Sequence, residues 1–451
     1  MLFAASMNFS GNFRTEGDLY NKLDLGVGNV TPSKTFLSAR ALLEPKLIID
    51  DHFTLNSQWS LLTSPNLTPG YTQNGSMGLG QAGYIFGDPN TGGLYLSRAW
   101  LEWTSDFGVV RVGRMPIAWG YGLIWDSGNE VWDDFQTTYD RLEYQLHFGH
   151  LIGAVAYSKP RKLNTLGNAN DQDFYTAYVR YDNPEEDVEA GLVYQREIRS
   201  SNQGADLMGV ANPLNIPGAS TSANPAISQS LGAKAPYALS NNVIDIYFKK
   251  TMGSFTFGGE AGWLSGTATD FNGDGNADTL NAIGFMVNLT YDYHKIKAFL
   301  DFLYASGDSN LSANHLNGFV ELNRNRRPGL ILGRELLGKY ASGTAQMGSP
   351  LYYGAPNTFS GVYYLRPGFR FEWSETWASG LEVIFAQKAA VAAGDPTSLG
   401  LEIDLGTDHA FYKNFDMGIN LGYLFAGSGL VGAGSSPSGV FAVRTTAAVK
   451  F

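Results

Sequence analysis

The stretch Gly439-Val-Phe-Ala-Val-Arg-Thr-Thr-Ala-Ala-Val-Lys-Phe451 decides the fold, because its side chains alternate between two kinds of surface. One face is largely apolar and the other is charged; the first carries Phe441, Val443, Thr445, Ala447, Val449 and Phe451, and the second Ala442, Arg444, Thr446, Ala448 and Lys450. Successive side chains of a β-strand point to opposite sides of its sheet. This strand therefore fits a wall with lipid outside and water inside.

The composition favours one large sheet over several soluble domains. Charged residues make up 16% of the 451 residues, compared with roughly 25% in soluble domains. Glycine (54 residues) and aromatic residues (13%) are abundant. Since no linker or break in composition divides the chain, we interpret residues 1–451 as a single domain. The chain contains no run of about 18 apolar residues, which excludes a transmembrane helix.

Cysteine usage and net charge exclude several classes of function. The chain has no cysteine, which removes disulfides, thiol catalysis and cysteine-based metal sites. Its net charge of −11 argues against nucleic acid as a partner, because phosphates need a basic surface. Met1-Leu-Phe-Ala-Ala-Ser6 is consistent with a signal-peptide remnant or with an engineered start.

Period-two alternation recurs along the chain and predicts eighteen strands. In the clearest segment, Arg141 and Glu143 lie on one face, and Leu142 and Tyr144 lie on the other. The predicted strands lie near residues 6–16, 35–48, 52–63, 94–104, 108–115, 138–148, 150–158, 172–182, 188–198, 241–251, 254–264, 280–292, 295–305, 359–372, 378–390, 399–410, 414–426 and 439–451. Segments of about ten residues cross a bilayer as tilted strands.

The connections between these segments alternate between short turns and long loops. Short turns are predicted at 105–107, 183–187, 252–253, 373–377 and 411–413, and the longest loops at 64–93, 199–240 and 306–358. Aromatic residues gather at the short-turn ends: Trp103, Tyr181, Tyr291, Tyr293, Trp373, Trp377, Tyr412 and Phe451. A soluble β-sandwich or propeller does not explain this asymmetry. The sequence therefore predicts an all-β transmembrane antiparallel barrel of about eighteen strands, with short periplasmic turns and long extracellular loops.

Strand parity then assigns charged side chains to the lumen of that barrel. The predicted pore-lining residues are Arg40, Arg98, Glu102, Arg111, Arg141, Glu143, Glu260, Asp301, Arg366, Arg370, Glu382 and Arg444. A charge facing lipid at the midplane would cost about 2–4 kcal/mol. These residues either filter solutes by charge or form cross-strand ion pairs that hold the wall together. If they form a basic filter, Arg98→Ala and Arg111→Ala are both expected to lower the preference for anions.

Two loops carry further candidate sites. Loop 306–358 is the predicted plug or constriction, because its apolar stretches 330–333 and 336–337 need burial; the alternative is a surface loop over the rim. Its basic cluster consists of Arg324, Arg326, Arg327 and Arg334. Loop 116–137 carries Trp119, Tyr121, Trp125 and Trp132 with Asp126, Asp133 and Asp134, which suits either a saccharide site or packing of one loop on another.

One motif has the spacing of metal ligands. Asp270, Asn272, Asp274, Asn276 and Asp278 match the opening of a calcium loop, in which oxygen ligands alternate around a glycine. The twelfth position is Asn281 instead of the bidentate glutamate, and no helices flank the motif. A Ca²⁺ site in loop 270–281 and an Asn/Gly/Asp-rich turn both remain open. No other cofactor is expected.

Across nearly its whole length the chain resembles a Gram-negative outer-membrane porin, through its terminal strand to Phe451 and its eighteen alternating segments. Leu401-Glu-Ile-Asp-Leu405 and Asn420-Leu-Gly-Tyr-Leu-Phe425 are similar to the final hairpins of eighteen-stranded alginate-export-type channels. The resemblance implies a location in the bacterial outer membrane, contact with its lipids, and passive diffusion of small hydrophilic solutes, including anionic solutes and saccharides. Porins of this kind occur as homo-oligomers and as monomers.

Two other functions compete with a channel. One is a structural outer-membrane protein with a plugged barrel, and the other is a barrel-embedded hydrolase. The hydrolase is the weaker alternative, because no Ser/His/Asn or Asp/His arrangement converges by spacing at the extracellular rim. We therefore expect no enzymatic activity.

Overall fold

The alternating segments form eighteen antiparallel strands in the computed structural model. They are β1 Ser6–Asn21, β2 Ser33–Ile48, β3 Phe53–Leu61, β4 Leu94–Ser105, β5 Gly108–Pro116, β6 Thr138–Phe148, β7 Leu151–Lys159, β8 Gln172–Asn183, β9 Val188–Arg199, β10 Leu239–Met252, β11 Phe255–Thr269, β12 Ala277–Tyr293, β13 Ile296–Ala305, β14 Val362–Ser374, β15 Trp377–Gln387, β16 Ser398–Tyr412, β17 Phe415–Ala426 and β18 Val440–Lys450. The structure describes residues 5–22, 25, 33–61, 84–85, 94–133, 136–159, 172–199, 239–269, 277–307, 309, 315–319, 326, 328–336, 361–391, 393–431 and 436–451.

All eighteen predicted strands are confirmed, and the largest differences lie at two loop-side ends. β1 and β11 continue to Asn21 and Thr269, beyond the predicted ends at residues 16 and 264. β1 is longer because its backbone keeps pairing: Asn21 lies opposite Ser33 of β2 and Phe441 of β18. Hydrogen bonds between strands satisfy backbone N–H and C=O groups whatever the side chains are. The strand can therefore continue beyond the residues in which apolar and polar side chains alternate.

The first and last strands pair with each other and close the sheet into a barrel. β1 and β18 are in register from the pair Asn12 and Lys450 to the pair Asn21 and Phe441. The amide of Gly11 donates to the carbonyl of Phe451 (2.9 Å), and the amide of Phe451 donates to the carbonyl of Gly11 (3.1 Å). Closure leaves the sheet without a free edge.

The two faces of the wall differ as the sequence predicts. Leu142 and Ile246 expose 52% and 55% of their surface on the outside, whereas their inward neighbours Arg141 and Asp245 are buried. The outer surface is thus the apolar, lipid-facing surface of a transmembrane barrel. Exposed aromatic residues follow the turn-side rim: Trp103, Trp373, Trp377, Tyr412 and Phe451.

Short turns lie at one end of the barrel and long connections at the other. The turns include the two-residue connections 106–107, 253–254, 294–295 and 413–414. Gly253 has φ 60°, a left-handed conformation that tight hairpin turns use and that glycine adopts without strain. Within the described residues, no helix has the length and apolar character needed to span a membrane.

Candidate functional site in the barrel lumen

The connection between β5 and β6 folds into the lumen instead of extending outward. Residues 117–137, which we call the first inner loop, bury the side chains of Leu123 and Ile124 completely. The two legs of the loop are joined where the amide of Ile117 donates to the carbonyl of Thr137 (2.9 Å). The apolar stretch therefore lies inside the barrel, where it avoids water.

Three arginines on one wall hold the first inner loop by its oxygen atoms. Arg14 of β1 donates from Nη1 to the carbonyl of Val131 (2.6 Å). Arg40 of β2 donates from Nη2 to the same carbonyl (3.2 Å), and Arg98 of β4 donates from Nη1 to Oδ1 of Asn129 (2.7 Å). All three arginines are buried. Their charges therefore stabilise the loop and do not face open water.

Two carboxylates on the opposite wall hold the same loop by its N–H groups. Glu260 of β11 accepts hydrogen bonds from the backbone amides of Tyr121 and Leu123. Asp245 of β10 accepts from the indole Nε1–H of Trp119 (2.9 Å). Since β10 is nine strands away from β1 in a ring of eighteen, the loop crosses the full diameter of the lumen.

Glycines in the wall allow the aromatic side chains of this loop to approach. A Cβ atom at Gly191 would lie 2.7 Å from Cη2 of Trp119, and one at Gly258 would overlap the hydroxyl of Tyr121. Trp119 also packs edge-on against Tyr247, with ring centroids 5.0 Å apart. Trp119 is thus part of the contact between loop and wall, which is the packing alternative that the sequence left open for these aromatic residues.

The connection between β13 and β14, residues 306–361, also enters the lumen where it is described; we call it the second inner loop. Its π-helix Gly329–Leu336 buries the apolar residues 330–332. The amide of residue 330 donates to Asp404 Oδ2 (2.9 Å) of β16, and the amides of residues 331 and 332 donate to the two oxygens of Glu402 (2.7 Å each). Carboxylates of the wall therefore hold both inner loops by backbone N–H groups.

The two inner loops contact each other across the lumen. Arg326 Nη2 of the second loop lies 3.1 Å from Asp126 Oδ2 of the first. Near this ion pair, Ile124 and Phe319 both lie against Gly262 of the wall, where an added Cβ would be 2.9 Å from Ile124 Cδ1 and 3.1 Å from Phe319 Cζ. Together the loops form one constriction with contacts on both sides of the barrel.

Arg111 remains accessible beside the first inner loop. Its side chain is 34% exposed, and its Nε lies 2.7 Å from Glu102 Oε2. Nη1 of the same arginine lies 3.7 Å from Glu143, which also pairs with the buried Arg141 (2.7 Å). The accessible cation on this wall therefore lies between two carboxylates.

A second accessible arginine has the same arrangement on the other side of the lumen. Arg366 of β14 is 31% exposed and contacts Asp301 and Glu382, the latter at 3.3 Å. Closer to the turn side, Arg370 pairs with Asp408 at 2.7 Å. Each of these arginines has at least one carboxylate partner, so the lumen carries alternating charges.

A cavity of about 590 Å³ lies between the constriction and the turn-side end of the barrel. Trp132 of the first inner loop borders it and is 42% exposed. The surrounding wall contributes charged side chains of both signs: Glu16, Arg370, Glu372, Asp408, Asp416 and Arg444. This cavity forms a charged vestibule on the turn side of the constriction.

The structure places the parity-assigned residues on the inward side but divides them into two groups. Accessible or partly accessible to the lumen are Glu102, Arg111, Arg366, Arg370, Glu382 and Arg444; buried are Arg40, Arg98, Arg141, Glu143, Glu260 and Asp301. For Arg40, Arg98 and Glu260, the cover is the first inner loop. The predicted pore-lining charges are therefore not all exposed to water in the lumen.

Several predicted positions lie outside the described residues. These are Arg324, Arg327, the side chain of Arg334, Asp134, and the calcium motif Asp270, Asn272, Asp274 and Asn276 together with the side chain of Asp278. Within the part of the chain that is described, no group of three or more acidic or histidine residues could hold a metal ion. The calcium site stays a prediction.

Sequence reasoning missed the first inner loop as a constriction, although the signal was present. The run Leu123-Ile124-Trp125 is as apolar as residues 330–333, and the same need for burial applies to it. Arg14, whose guanidinium group holds the loop, was also missed. Only the fold shows that it lies beside Arg40, its register partner on β2.

Comparisons with known proteins identify the fold. No protein-family model matches the chain, and no curated protein sequence matches it. The structure of OccK2 (OpdF) from Pseudomonas aeruginosa matches with a TM-score of 0.54 at 10% identity, covering 99% of this chain and 98% of that one. Its complex with glucuronate matches at 0.52 and 11%, covering 99% and 98%.

Two other solved structures give the same result. A BenF-like porin from Pseudomonas fluorescens Pf-5 matches with a TM-score of 0.52 at 10% identity, covering 99% of this chain and 98% of that one. OpdK from Pseudomonas aeruginosa, solved with vanillate, matches at 0.50 and 10%, covering 98% of each chain. The chain therefore has the fold of Gram-negative outer-membrane porins.

Proposed function

We propose that this protein is an outer-membrane porin that lets small hydrophilic solutes diffuse passively across the bacterial outer membrane. The observation that carries the proposal is the constriction: two loops fold into the lumen of a closed porin-type barrel, and charged side chains of the wall stay accessible. A selective channel needs a narrow, polar passage of this kind. Assembly into homo-oligomers remains an expectation.

We further propose that the solutes carry carboxylate or hydroxyl groups. Arg111 and Arg366 each offer a planar guanidinium group to the lumen, which suits a carboxylate. Their own carboxylate partners can accept hydrogen bonds from solute hydroxyls. Glucuronate and vanillate, which the structures of OccK2 and OpdK contain, have both kinds of group. Trp132 adds an exposed ring face on which a sugar or aromatic ring could stack.

A plugged structural barrel is the second candidate, and one observation favours it. Leu123, Ile124, Phe319 and residues 331–332 are all 0% exposed, so the inner loops pack tightly within the lumen. Conductance separates the two candidates. Purified, folded protein in a planar bilayer is expected to give discrete current steps as a porin, whereas a sealed bilayer with correctly inserted protein would identify a plug. No arrangement among the described residues favours the hydrolase.

Charge preference should depend on the carboxylates that flank the accessible arginines. Among the described residues, Glu382→Gln leaves Arg366 with Asp301 as its carboxylate partner, so the local charge becomes more positive. We expect the reversal potential under a salt gradient to shift toward the equilibrium potential of the anion. Asp140→Asn is the matched control, because Asp140 pairs with Arg114 on the outer surface. Equal shifts in the two variants would contradict this assignment.

The preference should also depend on pH through the first inner loop. Burial, assisted by nearby Asp126, raises the pKa of Asp133 to about 6, while Arg326 and Arg40 oppose the shift. Asp133 is therefore charged above that pH and becomes neutral as the pH falls through it. Lowering the pH from about 7.5 to about 5 is expected to shift the reversal potential toward the anion.

The control variants for this pH effect lie in the same loop. Asp133→Asn should reduce the pH-dependent shift, whereas Glu130→Gln, which removes an exposed carboxylate, should retain it. A shift of the same size in Asp133→Asn and in the unmodified protein would show that other groups are responsible.

A further inference from the structure

The lipid-facing wall carries an apolar groove that the proposed channel function does not use. A depression of about 470 Å³ lies on the outside of strands β6 to β9. Its floor is formed by β7 and β8, where Gly153 lies opposite Val179 and Val155 lies opposite Ala177. Its sides are the larger outward residues of β6 and β9: Tyr144, Leu146, Leu192 and Tyr194.

Register explains why the wall is recessed here. One cross-strand row reads Tyr144, Val155, Ala177 and Tyr194, and the next reads Leu146, Gly153, Val179 and Leu192. In both rows the larger side chains are at the two ends and the smaller ones in the middle. The groove therefore runs along the strands, which is the direction in which lipid chains extend through the membrane.

An arginine lies at the loop-side end of the groove and faces outward. In the row next to Tyr194, Arg196 pairs with Tyr175 of β8 and with Asn242 of β10. It alternates along β9 with the outward Tyr194 and Ile198, which are 43% and 43% exposed. Because β9 runs from a short turn into a long loop, this end is the extracellular one.

Arg196 has neutral hydrogen-bond partners in the wall. Its Nη1 donates to Asn242 Oδ1 (2.9 Å) and its Nη2 donates to the hydroxyl of Ser240. Within the described residues, no carboxylate lies within ion-pair distance of it. By contrast, Arg114 has a bidentate contact with Asp140, at 2.7 and 2.8 Å.

We infer that this wall binds a phosphorylated lipid of the extracellular leaflet, with one acyl chain in the groove and a phosphate at Arg196. The groove faces hydrocarbon, so a hydrocarbon chain is the matching occupant for its apolar surface. A guanidinium group binds phosphate with two parallel hydrogen bonds, and an uncompensated cation at the membrane surface attracts anionic headgroups. Tyr157 and Tyr175, with ring centroids 5.4 Å apart, lie beside Arg196 at the level of the interface.

Native mass spectrometry of the intact barrel in detergent tests this inference, with diphosphoryl lipid A and its dephosphorylated form as probes. The unmodified protein should retain the phosphorylated probe in preference to the dephosphorylated one. Arg196→Gln should lower retention of the phosphorylated probe about tenfold, because a charge-assisted bidentate contact is lost. Arg114→Gln is the matched control and should retain the probe as before, since Arg114 is already neutralised by Asp140.

A larger side chain that fills the groove should abolish retention of both lipid A probes, phosphorylated and dephosphorylated. Gly153→Leu is suitable because an added Cβ meets no other atom within 4 Å, so the side chain can occupy the groove without a clash in the wall. Ala177→Leu is a second variant for the same purpose, and heat-modifiable migration on gels verifies folding of each. Equal retention of lipid by the unmodified protein, Arg196→Gln and Gly153→Leu would overturn the inference. A dimer that Gly153→Leu dissociates without lipid would also overturn it, in favour of a second copy of this chain.

Discussion

Replacement of Glu260 by alanine is expected to raise the single-channel conductance several-fold, with larger fluctuations of the open current. The variant leaves the amides of Tyr121 and Leu123 without their acceptor in a buried place. Each unsatisfied buried donor costs about 1–3 kcal/mol. The first inner loop can avoid that cost by leaving the wall and exposing its amides to water. Because this loop crosses the lumen, its release widens the passage, as measured in planar bilayers.

The matched control is Glu382→Gln, which alters an inward carboxylate that contacts the side chain of Arg366 instead of a loop backbone. It should change the charge preference and leave the size of the current step nearly unchanged. If Glu260→Ala keeps the conductance and noise of the unmodified protein, the first inner loop does not limit the passage. The constriction would then lie elsewhere in the lumen.

The barrel could be predicted from the sequence because its two faces meet different solvents. Outward residues such as Leu142 and Leu192 are apolar and exposed, whereas inward residues such as Arg141 and Gln195 are polar and buried. The alternation along the sequence reflects this difference between the two faces. This signal is local, so it locates strands one by one and gives the inward face by parity. It weakens where a strand leaves the membrane, which is why β1 continues beyond the predicted end.

The constriction could not be predicted in the same way, because its contacts are distant in sequence. Glu260 accepts a hydrogen bond from the amide of Leu123, which is 137 residues away in the sequence. Arg14 donates to the carbonyl of Val131, which is 117 residues away. Neither spacing nor parity relates such residues to each other. Apolar runs inside loops indicate that burial is needed, but they do not identify the wall that receives them.

Arg98 and Arg111 show what strand parity can predict about a side chain and what it cannot. Both are inward, and the sequence leaves open for both whether they filter solutes by charge or form cross-strand ion pairs. In the structure Arg98 is 2% exposed and bound to the first inner loop, whereas the side chain of Arg111 is 34% exposed and pairs with Glu102. Parity gives the direction of a side chain, but what covers it depends on the loops.

Arg98→Ala and Arg111→Ala are therefore expected to have different effects. Arg98 donates to Asn129, Gln136 and the carbonyl of Ser127, and hydrogen bonds to a charged group contribute about 1.5–3 kcal/mol each. Its loss should loosen the first inner loop and increase conductance and current noise. Arg111→Ala removes an accessible cation, so the reversal potential should shift toward the cation while the current step stays nearly the same.

Conductance and reversal potential distinguish a residue that holds the loop from a residue that filters solutes. Only a charge filter changes the preference between anions and cations, which the reversal potential measures. A lysine at position 98 sharpens the comparison: it keeps the positive charge but lacks the planar fork that reaches several oxygens at once. If Arg98 holds the loop by geometry, Arg98→Lys should resemble Arg98→Ala in conductance. If Arg98→Lys instead restores normal conductance, and Arg98→Ala shifts the reversal potential as much as Arg111→Ala does, then charge alone is what matters at this position. The two arginines would in that case form one charge filter, which is one of the two alternatives that the sequence leaves open.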